Sequence, residues 1–314
     1  VARILITEFM DEDAVARLAA DHDVLHDPRL VDEPGRLAAE AARADALVVR
    51  NRTQVRGALL DALARCRVVG RLGVGLDNID VAGCRARGIE VIPATGANAQ
   101  AVAEYVIASA LWLRRLAWSG SAEVAAGRWP REALSRGREL AGATLGLIGF
   151  GSIGQLTGRL ARTLGMQVLA FDAALDAEHP AYAESGTRWA GLDEVVASAD
   201  VLSLHVPLVE STRGLIGAAR LAAMKPGAVL VNTARGGIVD EIALAQALRS
   251  GALGGAALDV FAEEPLPAAP HFQGCPNLLL TPHVAGVTQE SNARVSALIA
   301  DRVLAHLAAG AGRG

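Results

Sequence analysis

The chain has 314 residues, enough for two domains with sizeable cores, and at 52% hydrophobic and 20% charged it has the composition of a globular protein. A net charge of −4 leaves no basic excess for nucleic acid, and no run of about twenty apolar residues offers a membrane span. Three cysteines (Cys66, Cys84, Cys275) without a pairing pattern or zinc-ligand spacing exclude a disulfide scaffold, predict no metal site and fit the reducing cytoplasm, while the single lysine, Lys225, sits in a Lys-Pro-Gly turn that argues against Schiff-base chemistry.

In chain order, RILIT (3–7) reads as a first strand and 11–20 as a helix. Strands at 23–25 and 46–49 flank an Ala-rich helix at 36–43. A helix at 56–64, a strand at 67–69, a helix near 78–87 and a strand at 89–92 complete a first unit. Strands alternating with helices imply a parallel sheet covered on both faces. Gly73-Val74-Gly75 follows a strand, but Asn78 stands where a third glycine would be needed for a dinucleotide loop. Substrate contact and a plain turn both remain open there. Asn98 is the expected N-cap of a long apolar helix over 99–118, and 119–142, with Trp129, Pro130 and several arginines, reads as an irregular excursion.

Residues 144–172, TLGLIGFGSIGQLTGRLARTLGMQVLAFD, carry the most specific local pattern. An apolar run is followed by Gly149, Gly151 and Gly154 in G-x-G-x-x-G spacing, then by a helix, a second apolar run and Asp172, 23 residues after Gly149. The first glycine permits the tight turn, the second lets backbone approach a pyrophosphate, and the third lets the helix pack close to the sheet. The N–H groups of Ser152, Ile153 and Gly154 then face the phosphates at the positive end of the helix dipole. Asp172 is placed to accept from the adenosine ribose hydroxyls, and with no basic residue beside it to meet a 2′-phosphate it selects NAD over NADP.

Further strands are expected at 201–204, 228–232, 256–260 and 278–281, with helices near 192–198, 218–223, 241–249 and 289–308. Arg235, Glu264 and His283 each follow one of these strands, where the C-terminal ends of an open parallel sheet converge. Singly, each reads as a surface ion pair or a turn residue. Together, beside a nicotinamide, they suit oxidation of a 2-hydroxy acid. Arg235 holds the carboxylate and the reacting oxygen, His283 takes the hydroxyl proton, and Glu264 orients and charge-stabilises the imidazolium.

The phrases NTARGGIVDE (232–241), GAALDVFAEEP (255–265) and TPHVAG (281–286), with GRLGVGLDNID (70–80) and ANAQAVAEY (97–105), make the chain resemble the D-isomer-specific 2-hydroxyacid dehydrogenases, above all the D-3-phosphoglycerate dehydrogenase branch. The resemblance implies two doubly wound parallel-sheet α/β domains: a Rossmann NAD domain over 98–286, inserted in a flavodoxin-like substrate domain formed by 1–97 and 287–314. It implies the catalytic set Arg235, Glu264 and His283. Cofactor contacts are implied at Val74, Ser152, Ile153, Asp172, His205, Val206, Pro207, Thr233, Ala234, Arg235, His283 and Gly286, and at Asp259, which is expected to bind the nicotinamide carboxamide. Arg50, Asn51, Gly73, Val74, Gly75 and Asn98, with Arg235 and His283, are implied to line the substrate side, and the 119–142 excursion to embrace the second subunit of a homodimer. The family often has Ser where Asn51 stands. The phosphoglycerate branch often carries a C-terminal regulatory domain, so serine feedback is not expected of a sequence that stops at Gly314. The expected activity is hydride transfer between NAD and a small 2-hydroxy or 2-keto acid, with 3-phosphoglycerate favoured. Glyoxylate or hydroxypyruvate reduction, or a non-catalytic NAD-sensing role like that of corepressors of this fold, are the alternatives.

Overall fold

Short aliphatic runs separated by helices wind into two parallel sheets in the computed structural model, which describes residues 1–311. Two units are resolved by internal packing, Val1–Asn98 with the chain from Val287 onward, and Ala99–Gly286. Residues 312–314, included in the expected first-domain boundary, lie outside the described residues.

The first unit contains β1 (Arg3–Ile6), α1 (Glu12–Ala19), β2 (Asp23–His26), α2 (Pro34–Ala41), β3 (Ala46–Val49), α3 (Gly57–Ala62), β4 (Val68–Arg71), α4 (Val81–Ala86) and β5 (Glu90–Pro93). Its sheet runs β2-β1-β3-β4-β5, all parallel. Alternate strand residues serve opposite faces, as a two-residue repeat demands. Ile4, Ile6, Val48 and Val68 pack in one core with Ile299 and Val303 of the C-terminal helix, while Leu5, Leu47, Val49 and Val69 pack in the other with Leu37, Leu60 and Cys84.

The second unit contains α5 (Ala99–Arg115), α6 (Ser121–Ala125), α7 (Arg131–Leu134), β6 (Thr144–Ile148), α8 (Ser152–Thr163), β7 (Gln167–Phe171), α9 (Pro180–Ser185), β8 (Arg188–Trp189), α10 (Leu192–Ser198), β9 (Val201–Leu204), α11 (Ala218–Ala223), β10 (Val229–Asn232), α12 (Glu241–Arg249), β11 (Gly255–Leu258) and β12 (Leu278–Leu280). The final helix, α13 (Gln289–Ala311), belongs to the first unit and packs on β4 and α1. The seven-stranded sheet has the order β12-β11-β10-β9-β6-β7-β8. Strand order reverses beside β6, whose neighbours are β7 and β9, so the loops after β6 and β9 part at a topological switch point, the usual ligand crevice of such sheets.

Several local expectations are corrected. The 99–118 helix ends at Arg115, because Leu116 takes a left-handed conformation (φ 59°) and a 3₁₀ turn follows. Asn98 does not cap it through its side-chain oxygen, since the buried Oδ1 has no hydrogen-bond partner. The helix expected from 78 begins at Val81, where the Asp80 carboxylate accepts from Gly83 N at 2.8 Å. The 119–142 excursion holds two short helices, and α9 and β8 were not anticipated; all four are too short to show a periodic pattern. Among the described residues no helix is long and apolar enough to cross a membrane, and no group of His, Cys, Asp and Glu could hold a metal ion.

Candidate active site

The loop after β6 is shaped by two glycines that leave no room for a side chain. A Cβ on Gly149 (φ 96°) would stand 2.4 Å from His205 O, and one on Gly154 would stand 2.4 Å from Gly149 O. At Gly151 a Cβ would meet nothing within 4 Å, so that turn opens onto free space. The first helical bond of α8 is Gln155 N to Gly151 O, which leaves the amides of Ser152, Ile153 and Gly154 without helical acceptors. Just past β7, Asp172 accepts from Phe150 N at 2.7 Å and from Ala174 N at 2.8 Å, tying the acid to the glycine loop. Two of its lone-pair sites are so engaged, and a carboxylate has about four.

Across the switch point, His205 shares a 3.0 Å hydrogen bond through Nε2 with Ser203 Oγ, and burial pushes its pKa down to about 4, leaving a neutral ring at pH 7. Val206 and Pro207 follow it, with Pro207 O accepting from Thr212 Oγ1. At the end of β10 the Thr233 hydroxyl is buried with no partner, and Ala234 N donates to Asn232 Oδ1 at 3.0 Å. An open glycine turn, three amides lacking acceptors and an orphaned hydroxyl are features that a dinucleotide satisfies, so the residues present fit NAD.

Arg235, Glu264 and His283 follow β10, β11 and β12, which are adjacent in the sheet with Asn232 opposite Leu258 and Leu258 opposite Leu280. The arginine turn is pinned by the buried Asn232, whose Nδ2 donates to Arg235 O at 3.0 Å. Arg235 Nη1 donates to Ala234 O at 2.6 Å. Beyond it a Cβ on Gly236 would stand 1.7 Å from Phe261 O, so only glycine lets this turn press against the backbone leading to Glu264. Glu264 Oε1 accepts from Phe261 N at 3.0 Å, and its Oε2 accepts from His283 Nδ1 at 2.6 Å. The imidazole is 45% exposed, so with Nδ1 committed to the carboxylate, Nε2 is the nitrogen left for chemistry.

His283 takes a left-handed conformation (φ 56°), uncommon outside glycine and costing on the order of 1 kcal/mol. Asp259, 1% exposed, holds the loop in that shape. Its Oδ1 accepts from Thr281 Oγ1 (2.6 Å) and Val284 N (2.8 Å), its Oδ2 from Ala285 N (2.8 Å), and its carbonyl from His283 N (2.8 Å). Asp259 is the residue expected at the nicotinamide carboxamide; its carboxylate also serves the histidine loop, which runs on to Gly286, and three of its roughly four acceptor sites are engaged there. Tyr105 of α5 adds a 2.6 Å bond to Thr281 Oγ1. Neither Tyr105 nor Thr281 was singled out from sequence, since nothing local marks a hydroxyl whose partner is 176 residues away.

In the first unit, the loop carrying Arg50 and Asn51 is clamped from two sides. The buried Glu8 carboxylate accepts from the amides of Arg50 (2.9 Å), Asn51 (3.3 Å), Arg52 (3.0 Å) and Thr53 (2.9 Å). Burial pushes the Glu8 pKa up, but the hydrogen bonds from Thr53, Arg52 and Arg50 outweigh it and hold the pKa below the usual value. Asn78 Nδ2 donates to Thr53 O at 2.7 Å and Arg50 O at 3.3 Å, which gives this residue of the failed glycine motif a structural task. The half-buried Arg50 guanidinium lies 5.7 Å from the Phe9 ring centroid, donates to Asn292 Oδ1 at 2.9 Å, and has its pKa lowered by burial against the opposing Glu8 charge. Asn51 is exposed. Gly73 (φ 156°) has the Arg71 Nη1 where a Cβ would stand, and the amides of Val74 and Gly75 find no acceptor among the described residues.

Comparison with known proteins bears on this arrangement. The family model "D-isomer specific 2-hydroxyacid dehydrogenase, NAD binding domain" matches residues 107–285. The (S)-sulfolactate dehydrogenase of Chromohalobacter salexigens is 53% identical over 96% of both chains. The D-3-phosphoglycerate dehydrogenase of Mycobacterium leprae is 38% identical over 97% of this chain, which spans only 57% of that enzyme's length. Among solved structures, the TT0316 protein of Thermus thermophilus superposes with a TM-score of 0.88 at 33% identity, covering 98% of this chain and 97% of that one.

Proposed function

The chain belongs to the D-isomer specific 2-hydroxyacid dehydrogenase family and is an NAD-dependent oxidoreductase, and from that premise we propose that its substrate is a D-configured three-carbon 2-hydroxy acid bearing an anionic tetrahedral group on C3. The substrates that name the two relatives fit one such template. Sulfur on C3 outranks the carboxylate carbon in the naming rules and a phosphate-bearing C3 does not, so (S)-sulfolactate and D-3-phosphoglycerate have the same handedness at C2. Identity of 53% against 38% favours the sulfonate and moves 3-phosphoglycerate to second place.

NAD, when bound at the glycine turn with its ribose at Asp172, supplies the acceptor for the hydride leaving C2. The rest falls to the protein's own side chains. The Arg235 guanidinium pairs with the substrate carboxylate and the C2 oxygen. His283 Nε2 removes the hydroxyl proton and returns it in the reverse direction, and Glu264, 2.6 Å from Nδ1, fixes the tautomer and balances the imidazolium charge. Arg50, Asn51, Gly73, Val74, Gly75 and Asn98 are the first unit's candidates for substrate contact, with Val74 also a candidate for the cofactor. His205, Val206, Pro207, Thr233, Ala234 and Gly286 line the cofactor. A homodimer formed through the 119–142 excursion is part of the same reading.

The His283–Glu264 contact beside the arginine turn carries the proposal. Its test is kcat/KM with NAD across (S)-sulfolactate, (R)-sulfolactate, D-3-phosphoglycerate and D-lactate, and with NADH on hydroxypyruvate and glyoxylate. The expected order places (S)-sulfolactate first and D-3-phosphoglycerate second, each at least roughly a hundredfold above D-lactate, since the C3 anion engages a charged group. Arg235→Ala should lose roughly a hundredfold or more on every substrate. Equal use of D-lactate would overturn the C3-anion template, and turnover unaffected by Arg235→Ala would overturn the assigned chemistry.

A further inference from the structure

Glu241 opens α12 in the same motif that carries Arg235, yet no step above uses it. Its side chain is only 15% exposed, with Oε1 accepting from Ala262 N at 2.8 Å and Oε2 lying 3.6 Å from His271 Nε2. The preceding amide, Phe261 N, donates to Glu264 Oε1 at 3.0 Å, and Glu264 Oε2 meets His283 Nδ1 at 2.6 Å. Two consecutive amides of one turn are therefore held by two carboxylates, one on α12 and one facing the imidazole. His271 is itself fixed, its ring 4.2 Å from that of Phe272.

We propose that Glu241 is a positioning residue for the acid–base pair: by gripping the Ala262 amide it fixes the 261–264 turn, so that Glu264 presents Oε2 to His283 Nδ1. The inference rests on the roles proposed for Glu264 and His283. A carboxylate stabilises an imidazolium only while it stays close and aligned, and a drift of about 1 Å in a supporting group costs disproportionately in catalysis. Ala262 is exposed, so water replaces the lost acceptor when Glu241 is removed; the turn loosens and the fold persists. The titratable groups along this line of contacts are His271, Glu241, Glu264 and His283, with Asp259 behind the histidine loop.

The test is a histidine 15N NMR titration of the protein without substrate, with the His283 resonance assigned through His283→Gln. Glu241→Ala should lower the His283 midpoint by roughly 0.5 to 1 pH unit, while Glu241→Gln, which keeps a carbonyl acceptor for Ala262 N, should restore most of it. Glu264→Gln should lower the midpoint as well, and Glu241→Ala added to it should give no further shift. In turnover, Glu241→Ala should reduce kcat about tenfold with both KM values within twofold, and the acidic limb of the oxidation profile should move to lower pH. If Glu241→Ala does not fold, Glu241→Ser, well suited to a helix start, gives the same readout. A His283 midpoint unmoved by Glu241→Ala, or an additive shift in the Glu264→Gln background, overturns the proposal. Absence of turnover on every 2-hydroxy acid would count against the proposed function alone, because the NMR titration still decides the role of Glu241.

Discussion

At the scale of single residues, the buried Glu8 and the half-buried His205 make stability depend on pH, one in each unit. Glu8 is held ionised by four backbone amides, so its folded pKa lies below its unfolded value. Its contribution is present above the unfolded pKa near 4.5 and is lost as pH falls through the lower folded value. His205 works in a different window. Its folded pKa of about 4 lies below the ordinary imidazole value of 6.5, so the unfolded chain binds the proton first and stability falls as pH drops from 6.5 to 4. The loss is expected at about 1 to 3 kcal/mol. Hydrogen-exchange protection, corrected for intrinsic rates, should therefore fall in the second unit between pH 6.5 and 4 while the first unit holds until lower pH. His205→Gln should flatten the higher window and Glu8→Gln the lower one. A profile unchanged by either substitution would show that the group is not buried as described.

At the scale of elements, the start of α8 separates what glycine does for the fold from what it does for a ligand. Ala at 154 places a methyl 2.4 Å from Gly149 O and should destabilise the second unit by about 1 to 3 kcal/mol, read by denaturant unfolding. Ala at 151 meets nothing within 4 Å, so stability should stay within about 0.5 kcal/mol while the NAD Kd rises tenfold or more, read by calorimetry. Equal NAD affinity in Gly151→Ala would remove the pyrophosphate from that turn. The same elements show what the sequence makes legible. Strand, glycine loop, helix and acid are contiguous, so periodicity and spacing place them within a residue or two, and Arg235, Glu264 and His283 could be ordered because each follows an apolar run. What holds those residues in place is not written locally. Glu8 meets its amides 42 to 45 positions away, Asn78 meets carbonyls 25 and 28 away, and Glu241 meets an amide 21 away. A carboxylate that serves only backbone leaves no partner side chain for a sequence pattern to display. Asp259 is a case in point: its strand-end position marks a ligand contact, while the three donors from the following loop that also engage its oxygens leave no local mark.

At the scale of the whole molecule, the tryptophans are displaced from the cores. Trp112, Trp118 and Trp129 lie within 18 residues of one another and are all exposed, Trp129 at 78%, with Leu111 and Val124 exposed among them. Aromatic side chains usually contribute to cores and interfaces, and monomers rarely leave large apolar patches in water. Trp112 and Trp118 are stacked at 5.4 Å, so part of the side-chain entropy that association costs is already spent. Val124 and Trp129 lie in the 119–142 segment proposed to embrace a second copy and Trp112 and Trp118 come just before it, a composition that matches the aromatic and arginine enrichment of interface centres. The protein at about 10 µM should therefore elute in light-scattering chromatography at twice the 32.4 kDa chain mass. Trp118→Glu combined with Trp129→Glu should give a monomer whose far-ultraviolet circular dichroism is unchanged, because neither ring is buried in the described cores. Trp112 emission in that variant should shift to longer wavelength as water reaches a ring the interface had covered. A monomeric parent protein, or a double variant that stays dimeric, would move the interface away from these tryptophans and leave the exposed rings to another surface contact.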